Sequence, residues 1–265
     1  MSKGDDSPLR VLVVGESWIK HIVHLKGFDQ FHTTEYEEGA GVFLAALRGA
    51  GYQVDYIRAL EVSGKFPTSV EELNRYHVVV LSDIGSNSFL LCDETFLRSE
   101  RSVNRLSLLA EYVLAGGGLL MAGGYMSFSG IDGRARYQAT PLADVLPVAM
   151  LERDDRVEMP QGLTVNFLAP SHDVLGGTPA DWPILLGYNQ LRAKPEATVV
   201  VKFGDDPILA VAEYGSGRSV AFASDVAPHW APKEFMTWPH YAELWASIIA
   251  WAAGDKVRSR VRASA

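Results

Sequence analysis

The sequence predicts a doubly wound α/β fold on a mostly parallel sheet, with a hairpin-rich addition toward the C-terminus. Three observations carry this. Val11-Leu12-Val13-Val14, Val78-Val79-Val80-Leu81 and Leu119-Leu120-Met121-Ala122 are short aliphatic runs without polar alternation, the pattern of strands covered on both faces. Segments with helical spacing lie between such runs. After Phe128 the strand-like runs are instead separated by turns.

In chain order, Val11 to Gly15 forms the first central strand. Gly41 to Ala50 follows as a helix that turns Val42, Phe43, Ala46 and Leu47 to one face and stops at Gly51, a residue suited to a left-handed cap. Gln53 to Ile57 completes a βαβ unit, and His77 to Ser82 is the next buried strand. A helix is expected from Asn104, with Leu106, Leu109, Val113 and Leu114 inward, ending at Gly116-Gly117-Gly118. That glycine run is read as a helix end and not a phosphate cradle, since no Lys-Ser/Thr follows. Beyond Phe128, strands are expected at Val145 to Leu151, Leu163 to Phe167, Thr198 to Phe203, Ile208 to Tyr214 and Arg218 to Ala223, with Gly215-Ser216-Gly217 turning a hairpin between the last two. A closing helix carries Tyr241, Leu244, Trp245, Ile248, Ile249 and Ala252 inward, from Pro239 in the first turn to Gly254 past the last.

The chain has 265 residues and a net charge of -8. That length fits one domain, residues 1–265 with a core over about 9–254. The acidic balance argues against a nucleic-acid or anionic-membrane surface, so a small polar molecule is the expected partner, with a homo-oligomer left open. Cys92 is the one cysteine, which excludes an internal disulfide. Met1 to Asp6 lacks the apolar core of a secretory signal, and no apolar run approaches the roughly 20 residues a bilayer requires. A cytoplasmic protein is expected. The basic stretch Lys256 to Arg260 is read as a solvated end.

Polar residues collect where strands end, the edge at which α/β sheets bind ligands. Glu16-Ser17-Trp18 follows the first strand, and His21 and His24 follow at a spacing that would share one side of a helical turn. A carboxylate and two imidazoles could ligate a divalent metal, but no His-Glu-x-x-His or paired cysteine pattern accompanies them. No cofactor and no metal site are predicted, and a divalent metal stays an alternative. Lys26, Asp29, His32 and Glu38 make the same segment polar, as the mouth of a binding site would be. Asp83 and Asn87 follow the third strand, with an Asx-turn as the competing use. Asp225 and His229 follow Val220 to Ala223, as a base or ligand-binding imidazole beside a carboxylate, or as a turn cap and a packed ring. The Arg156 guanidinium of Asp154-Asp155-Arg156 could hydrogen-bond a sugar or carboxylate, with an internal Arg–Asp pair as the favoured use, and His172-Asp173 is read as ambiguous. Trp230 and Trp238, outside the final helix, are candidate stacking platforms for a sugar ring.

Gly15-Glu16-Ser17-Trp18, His24-Leu25-Lys26-Gly27-Phe28-Asp29, Leu81-Ser82-Asp83-Ile84-Gly85-Ser86-Asn87, Gly123-Gly124-Tyr125-Met126-Ser127-Phe128, Asp154-Asp155-Arg156-Val157-Glu158 and Ser224-Asp225-Val226-Ala227-Pro228-His229-Trp230 resemble the family named "putative glutamine amidotransferase". This is a flavodoxin-like branch of the class I glutamine amidotransferase-like superfamily, similar also to ThuA-like proteins of carbohydrate metabolism. The resemblance runs from Gly15 to Gly254. It implies a flavodoxin-like sheet, with an elbow after Leu119 to Ala122 that turns sharply from strand to helix where the superfamily carries a nucleophilic cysteine. Tyr125 stands there in this chain. A phenol with a reference pKa near 10 is protonated at neutral pH and is no substitute for a thiolate, and Cys92 is expected to be buried and inert.

The resemblance also places Asp225 and His229 where the superfamily has its histidine and acid, though with the acid first. Active relatives have the histidine first, two residues before the acid. Glu16, Asp225, His229, Tyr125 and Ser127 are therefore the catalytic candidates, Ser127 having turn capping as its competing use. Trp18, His24, Lys26, Asp83, Asn87 and Trp230 are the ligand-binding candidates. Together they predict a protein that lacks the usual glutaminase chemistry and binds or transforms a small polar metabolite, such as a sugar derivative, at the C-terminal edge of the sheet. The alternatives are a non-catalytic binding or assembly module and a ThuA-like keto-sugar enzyme, with or without a metal.

Overall fold

The computed structural model describes residues 8–254. The expectations for Met1 to Asp6 and Lys256 to Arg260 fall outside them. The strands are β1 (Arg10–Gly15), β2 (Ser17–Lys26), β3 (Asp29–Glu38), β4 (Gln53–Ile57), β5 (Val78–Ser82), β6 (Gly118–Ala122), β7 (Val148–Met150), β8 (Arg156–Leu163), β9 (Asn166–Phe167), β10 (Leu185–Asn189), β11 (Leu191–Ala193), β12 (Thr198–Phe203), β13 (Asp206–Tyr214) and β14 (Gly217–Phe222). Eight of them form one sheet in the order β4-β1-β5-β6-β14-β13-β12-β9. From β4 to β14 the pairing is parallel, and β13, β12 and β9 add antiparallel strands at one edge.

The central aliphatic runs are enclosed on both faces: every residue of β5 and β6 is buried, as are Val11 to Gly15 in β1. Helix Tyr241–Ala252 packs six side chains inward, with Trp245 edge-on to Phe43 and Phe222 at 5.1 Å. His240 precedes its first residue, so Pro239 lies outside the first turn rather than within it.

Two helical faces are rotated from the expected ones. Gly41–Gly49 buries Phe43, Leu44, Ala46 and Leu47 and leaves Val42 outside. Arg105–Leu114 buries Arg105 and Tyr112 and exposes Leu114. Asn104 caps this helix by accepting from the amides of Leu106 and Ser107, which fixes its start. Arg105 enters the interior because its guanidinium donates to the carbonyls of Val62 and Ser63, a buried use that hydropathy does not signal.

The C-terminal addition is more finely divided than the sequence indicates. Val145 to Leu151 splits into a 3-10 turn, Pro141–Val145, and the short β7. Leu163 to Phe167 splits between the end of β8 and β9. The β8–β10 and β7–β11 pairs form two small sheets of their own, and Gly215-Ser216 makes the turn between Tyr214 and Gly217. The largest correction concerns Ser17 to Glu38. These residues form a two-stranded antiparallel arm rather than a helical turn or a loop. In a strand a spacing of three puts His21 and His24 on opposite faces, so the expected shared face does not exist.

Candidate functional site

Four neighbouring parallel strands stop level with one another. Register pairs Gly15 with Ser82, Ser82 with Ala122, and Ala122 with Phe222. The residues that follow, Glu16, Asp83, the Gly123-Gly124-Tyr125 turn and the Ser224-Asp225 segment, therefore meet along one edge. Glu16 and Asp83 follow β1 and β5, flanking the point where the strand order reverses and where sheets of this kind open a crevice.

The backbone is strained there. Glu16 (φ +47°), Asp83 (φ +43°) and His229 (φ +130°) are non-glycine residues in the left-handed region, a conformation that costs about 1–3 kcal/mol and persists where surrounding structure imposes it. The imposing bonds are visible. The Glu16 amide donates to the Ser82 carbonyl at 3.0 Å, its carbonyl accepts from Gly39 at 2.8 Å, and the Tyr56 hydroxyl donates to the Gly15 and Glu16 carbonyls at 2.9 and 3.2 Å. Asp83 is held by its amide, which donates to Ser127 Oγ at 3.1 Å, and by its Oδ1, which accepts from the Met126 amide at 2.7 Å. It ties its own strand to the turn after β6 instead of closing an Asx-turn.

That turn differs from the expected elbow. The chain leaves Ala122 through irregular backbone with no α-helix behind it, reaching a 3-10 turn only at Ile131–Gly133. Internal bonds stabilise it in place of a helix. Asn189 accepts from the Gly124 amide at 3.0 Å and donates to the Gly124 carbonyl at 3.2 Å and to Asp155 at 2.8 Å. The buried Asp155 carboxylate also accepts from the amides of Ser129 and Gly130, both at 2.9 Å. Gly124 permits this path at φ +136°, where a Cβ would come 2.8 Å from Asp83 Oδ1.

Three carboxyl groups converge beside the turn. Ser82 Oγ donates to Glu16 Oε1 at 2.5 Å. Glu16 and Asp225 are buried, at 1% and 3% exposure. Burial, then the charges of Asp225 and Asp83, hold the Glu16 carboxyl well above its usual range. Burial and the Asp83 charge do the same to Asp225, and burial raises Asp83. Like charges this close resist ionising together, so Glu16 and Asp225 titrate as a unit. His229 Nδ1 lies 3.5 Å from Asp225 Oδ2. Burial pulls the imidazole below its ordinary pKa, against the opposing charges of Glu158 and Asp83, and so favours the neutral ring that can accept a proton.

An aromatic and charged wall completes the arrangement. Tyr125 meets His229 edge-on at 4.2 Å, and His229 stacks on Trp230 at 4.9 Å. The Tyr125 hydroxyl and Trp230 Nε1 each donate to Glu158, both at 3.0 Å. Arg156 lies 4.6 Å over the Tyr125 ring and pairs with Asp154 at 2.8 Å. Burial and then Glu158 raise the Tyr125 phenol, while the Arg156 guanidinium holds Asp154 well below the usual carboxylate range.

The structure thus brings Glu16, Asp83, Tyr125, Asp225 and His229 together, with Ser127 just behind. Trp230 is a correction: it is 1% exposed and backed by Gly187, where a Cβ would run into its indole, so its ring is not an open platform. His24 and Lys26 lie out along the arm and not in a loop at the mouth, whereas Trp18 stands at the arm base beside the site, where a Cβ on Gly39 would meet both Glu16 Oε2 at 2.9 Å and Trp18 Cη2 at 3.1 Å. Trp18 donates to Glu37, His24 stacks on Phe31 at 4.4 Å, and Lys26 lies over Phe31 near the arm tip. Asn87 is exposed at the start of a short helix. Cys92 is buried against Ser102 and Thr95, away from the turn after β6. Among the described residues no group of three or more His, Cys, Asp or Glu side chains is placed to hold a metal. Sequence reasoning missed Asn189, whose polar run Asn189-Gln190 was the available signal, and the anchoring role of Asp155.

Fold and sheet-edge turn define an α/β protein of the class I glutamine amidotransferase-like type. Within that class the chain belongs to the family described as "putative glutamine amidotransferase", whose model matches residues 10–254. A cytoplasmic protein of Salmonella typhimurium is 48% identical over 92% of this chain and 99% of its own, with a TM-score of 0.90. A second, from Salmonella typhimurium LT2, is 45% identical over the same shares with a TM-score of 0.88. A ThuA-like protein of Bacteroides uniformis shares the fold at 13% identity and a TM-score of 0.56, over 95% of this chain and 94% of its own. Comparison with curated proteins gives no match. Among the described residues no helix is long and apolar enough to cross a membrane.

Proposed function

We propose that this chain binds and transforms a small polar metabolite at the C-terminal edge of its sheet by acid-base chemistry, without a thiol nucleophile. The observation that carries this is the convergence of three strained residues, Glu16 and Asp83 directly after β1 and β5 and His229 in the segment that follows β14. Strain concentrates at functional sites because packing alone has no use for it. Here it coincides with carboxyls raised by burial and an imidazole lowered by it, the pairing that acid-base catalysis requires.

In this reading His229 is the base, Glu16 and Asp225 hold a shared proton as the acid, and Glu158, Arg156 and Tyr125 contact the polar groups of the substrate. Tyr125 stands where relatives in the superfamily would carry cysteine. The names of the Salmonella relatives support a cytoplasmic location.

Ligand-detected NMR against aldoses, ketoses and sugar acids tests the proposal, beside an ammonia-release assay with glutamine. At least one polyol or hydroxy acid should bind, with its signal lost in His229→Ala, and glutamine should release no ammonia. Glutaminase activity that disappears in Cys92→Ser would overturn the proposal.

A further inference from the structure

Beyond its base the β2–β3 arm has no role in the site just described, yet its two faces differ in charge. Register places Ser17, Ile19, His21, Val23 and Leu25 opposite Glu38, Tyr36, Thr34, His32 and Gln30, alternating with pairs that include Lys20–Glu35 and Lys26–Asp29. One face therefore carries Trp18, Ile22, His24 and the 44% exposed Phe31 together with the lysines and every acidic residue except Glu38, which sits at the base and is neutralised by Arg58. The other face has no lysine and no acid beyond Glu38, and among His21, His32, Thr34 and Gln30 it exposes Ile19 (41%), Val23 (52%), Leu25 (71%) and Tyr36 (47%), with Phe28 fully exposed at the tip.

Nothing within the described chain covers that face. The arm is a sheet of two strands only, and the bonds tying it to the body lie at its base: Gly39 to Glu16, Ala59 to Ser17 and Arg58 to Glu38. A two-stranded ribbon without a covering layer is marginally stable in water.

We propose that the uncovered face docks against the same face of a second copy of this chain about a twofold axis, with the two arms antiparallel. The dimensions argue for that direction. Each strand has ten residues, so the arm is about 33 Å long and roughly 10 Å wide, and two such faces alone bury less than the roughly 1,200 Å² of a stable interface. Running the arms antiparallel brings each tip, with Phe28, onto the body of the other copy and adds the missing area. A twofold arrangement also closes, since each copy gives and receives the same surface. The arm base directly follows Glu16, so Phe28 and Lys26 of each copy would lie at the rim of the other copy's candidate site.

Sedimentation velocity on the full chain at micromolar concentration should show a dimer or an even-numbered assembly of dimers. Val23→Glu/Leu25→Glu should reduce it to monomers with the near-ultraviolet circular dichroism unchanged. Should that pair fail to fold, Leu25→Lys alone should still weaken association at least tenfold. Because Cys92 is buried, a short bismaleimide reports on introduced cysteines: Thr34→Cys, near the middle of the arm, should cross-link between copies, and Phe28→Cys should not cross-link to itself. A monomeric wild type, a dimer that survives both arm variants, or tip-to-tip cross-linking overturns the proposal.

Discussion

Replacing Glu16 with glutamine should make the protein more stable, by an amount that depends on pH. The Glu16 carboxyl is buried against Asp225 and Asp83 and held well above its usual range. A carboxyl whose folded pKa is raised binds its proton more tightly in the native state, so its contribution is fully present below the unfolded pKa near 4.3 and is lost as pH climbs toward the folded value. Each pH unit in that window costs about 1.4 kcal/mol. At pH 6, some 1.7 units above the unfolded value, the cost can reach at most about 2 kcal/mol, and the Glu16→Gln variant does not incur it. Glutamine keeps an oxygen that can accept from Ser82 Oγ, and the site is otherwise unchanged in volume. Denaturant unfolding at pH 4.5 and pH 6 should show near-equality at the lower pH and a more stable Glu16→Gln at the higher, by up to about 2 kcal/mol or about 4–8 °C in melting temperature. A destabilised variant at pH 6, or the same difference at both pH values, would refute the burial argument. Stabilisation on removing a polar group is the signature of a residue kept for function.

Asp155→Ala leaves the amides of Ser129 and Gly130 and the Asn189 side chain without their acceptor. It should cost about 3 kcal/mol in chemical unfolding, and a loss below 1 kcal/mol would show that the turn after β6 holds without it. Gly187→Ala drives a methyl into the Trp230 indole and should lower stability by about 1–3 kcal/mol, with altered Trp230 fluorescence. Cys92→Ser should leave turnover unchanged, because the thiol is buried away from the site; a loss of activity with the fold intact would count against that placement. His229 should titrate below 6.5 when its ring protons are followed by NMR, and a value above 7 would mean that the neighbouring carboxylates outweigh burial.

The sheet was legible because its strands are aliphatic runs of a length and purity that few other elements use. The edge residues were legible because they follow those runs directly, as Glu16 follows Gly15 and Asp83 follows Ser82. The arm was hidden by composition: His21, His24 and Lys26 in a polar stretch looked like a binding loop, and only the alternation Ile19, His21, Val23, Leu25 betrayed a strand. Trp230 was misplaced because its burial depends on Gly187, forty-three residues away, and on Glu158, whose carboxylate satisfies the indole. Asn189 and Asp155 act on the turn after β6 across 65 and 25 residues of sequence, distances at which local pattern carries no information.

The most direct measurement takes His229→Ala and records a melting curve and an NMR titration with the sugar or hydroxy acid that binds the wild type. His229 is exposed at the sheet edge in a strained conformation, so its removal should lose binding while the melting temperature stays level or rises. A melting temperature lowered by several degrees with affinity intact would instead make His229 a packing residue, and the sheet edge would lose its claim to be the functional site.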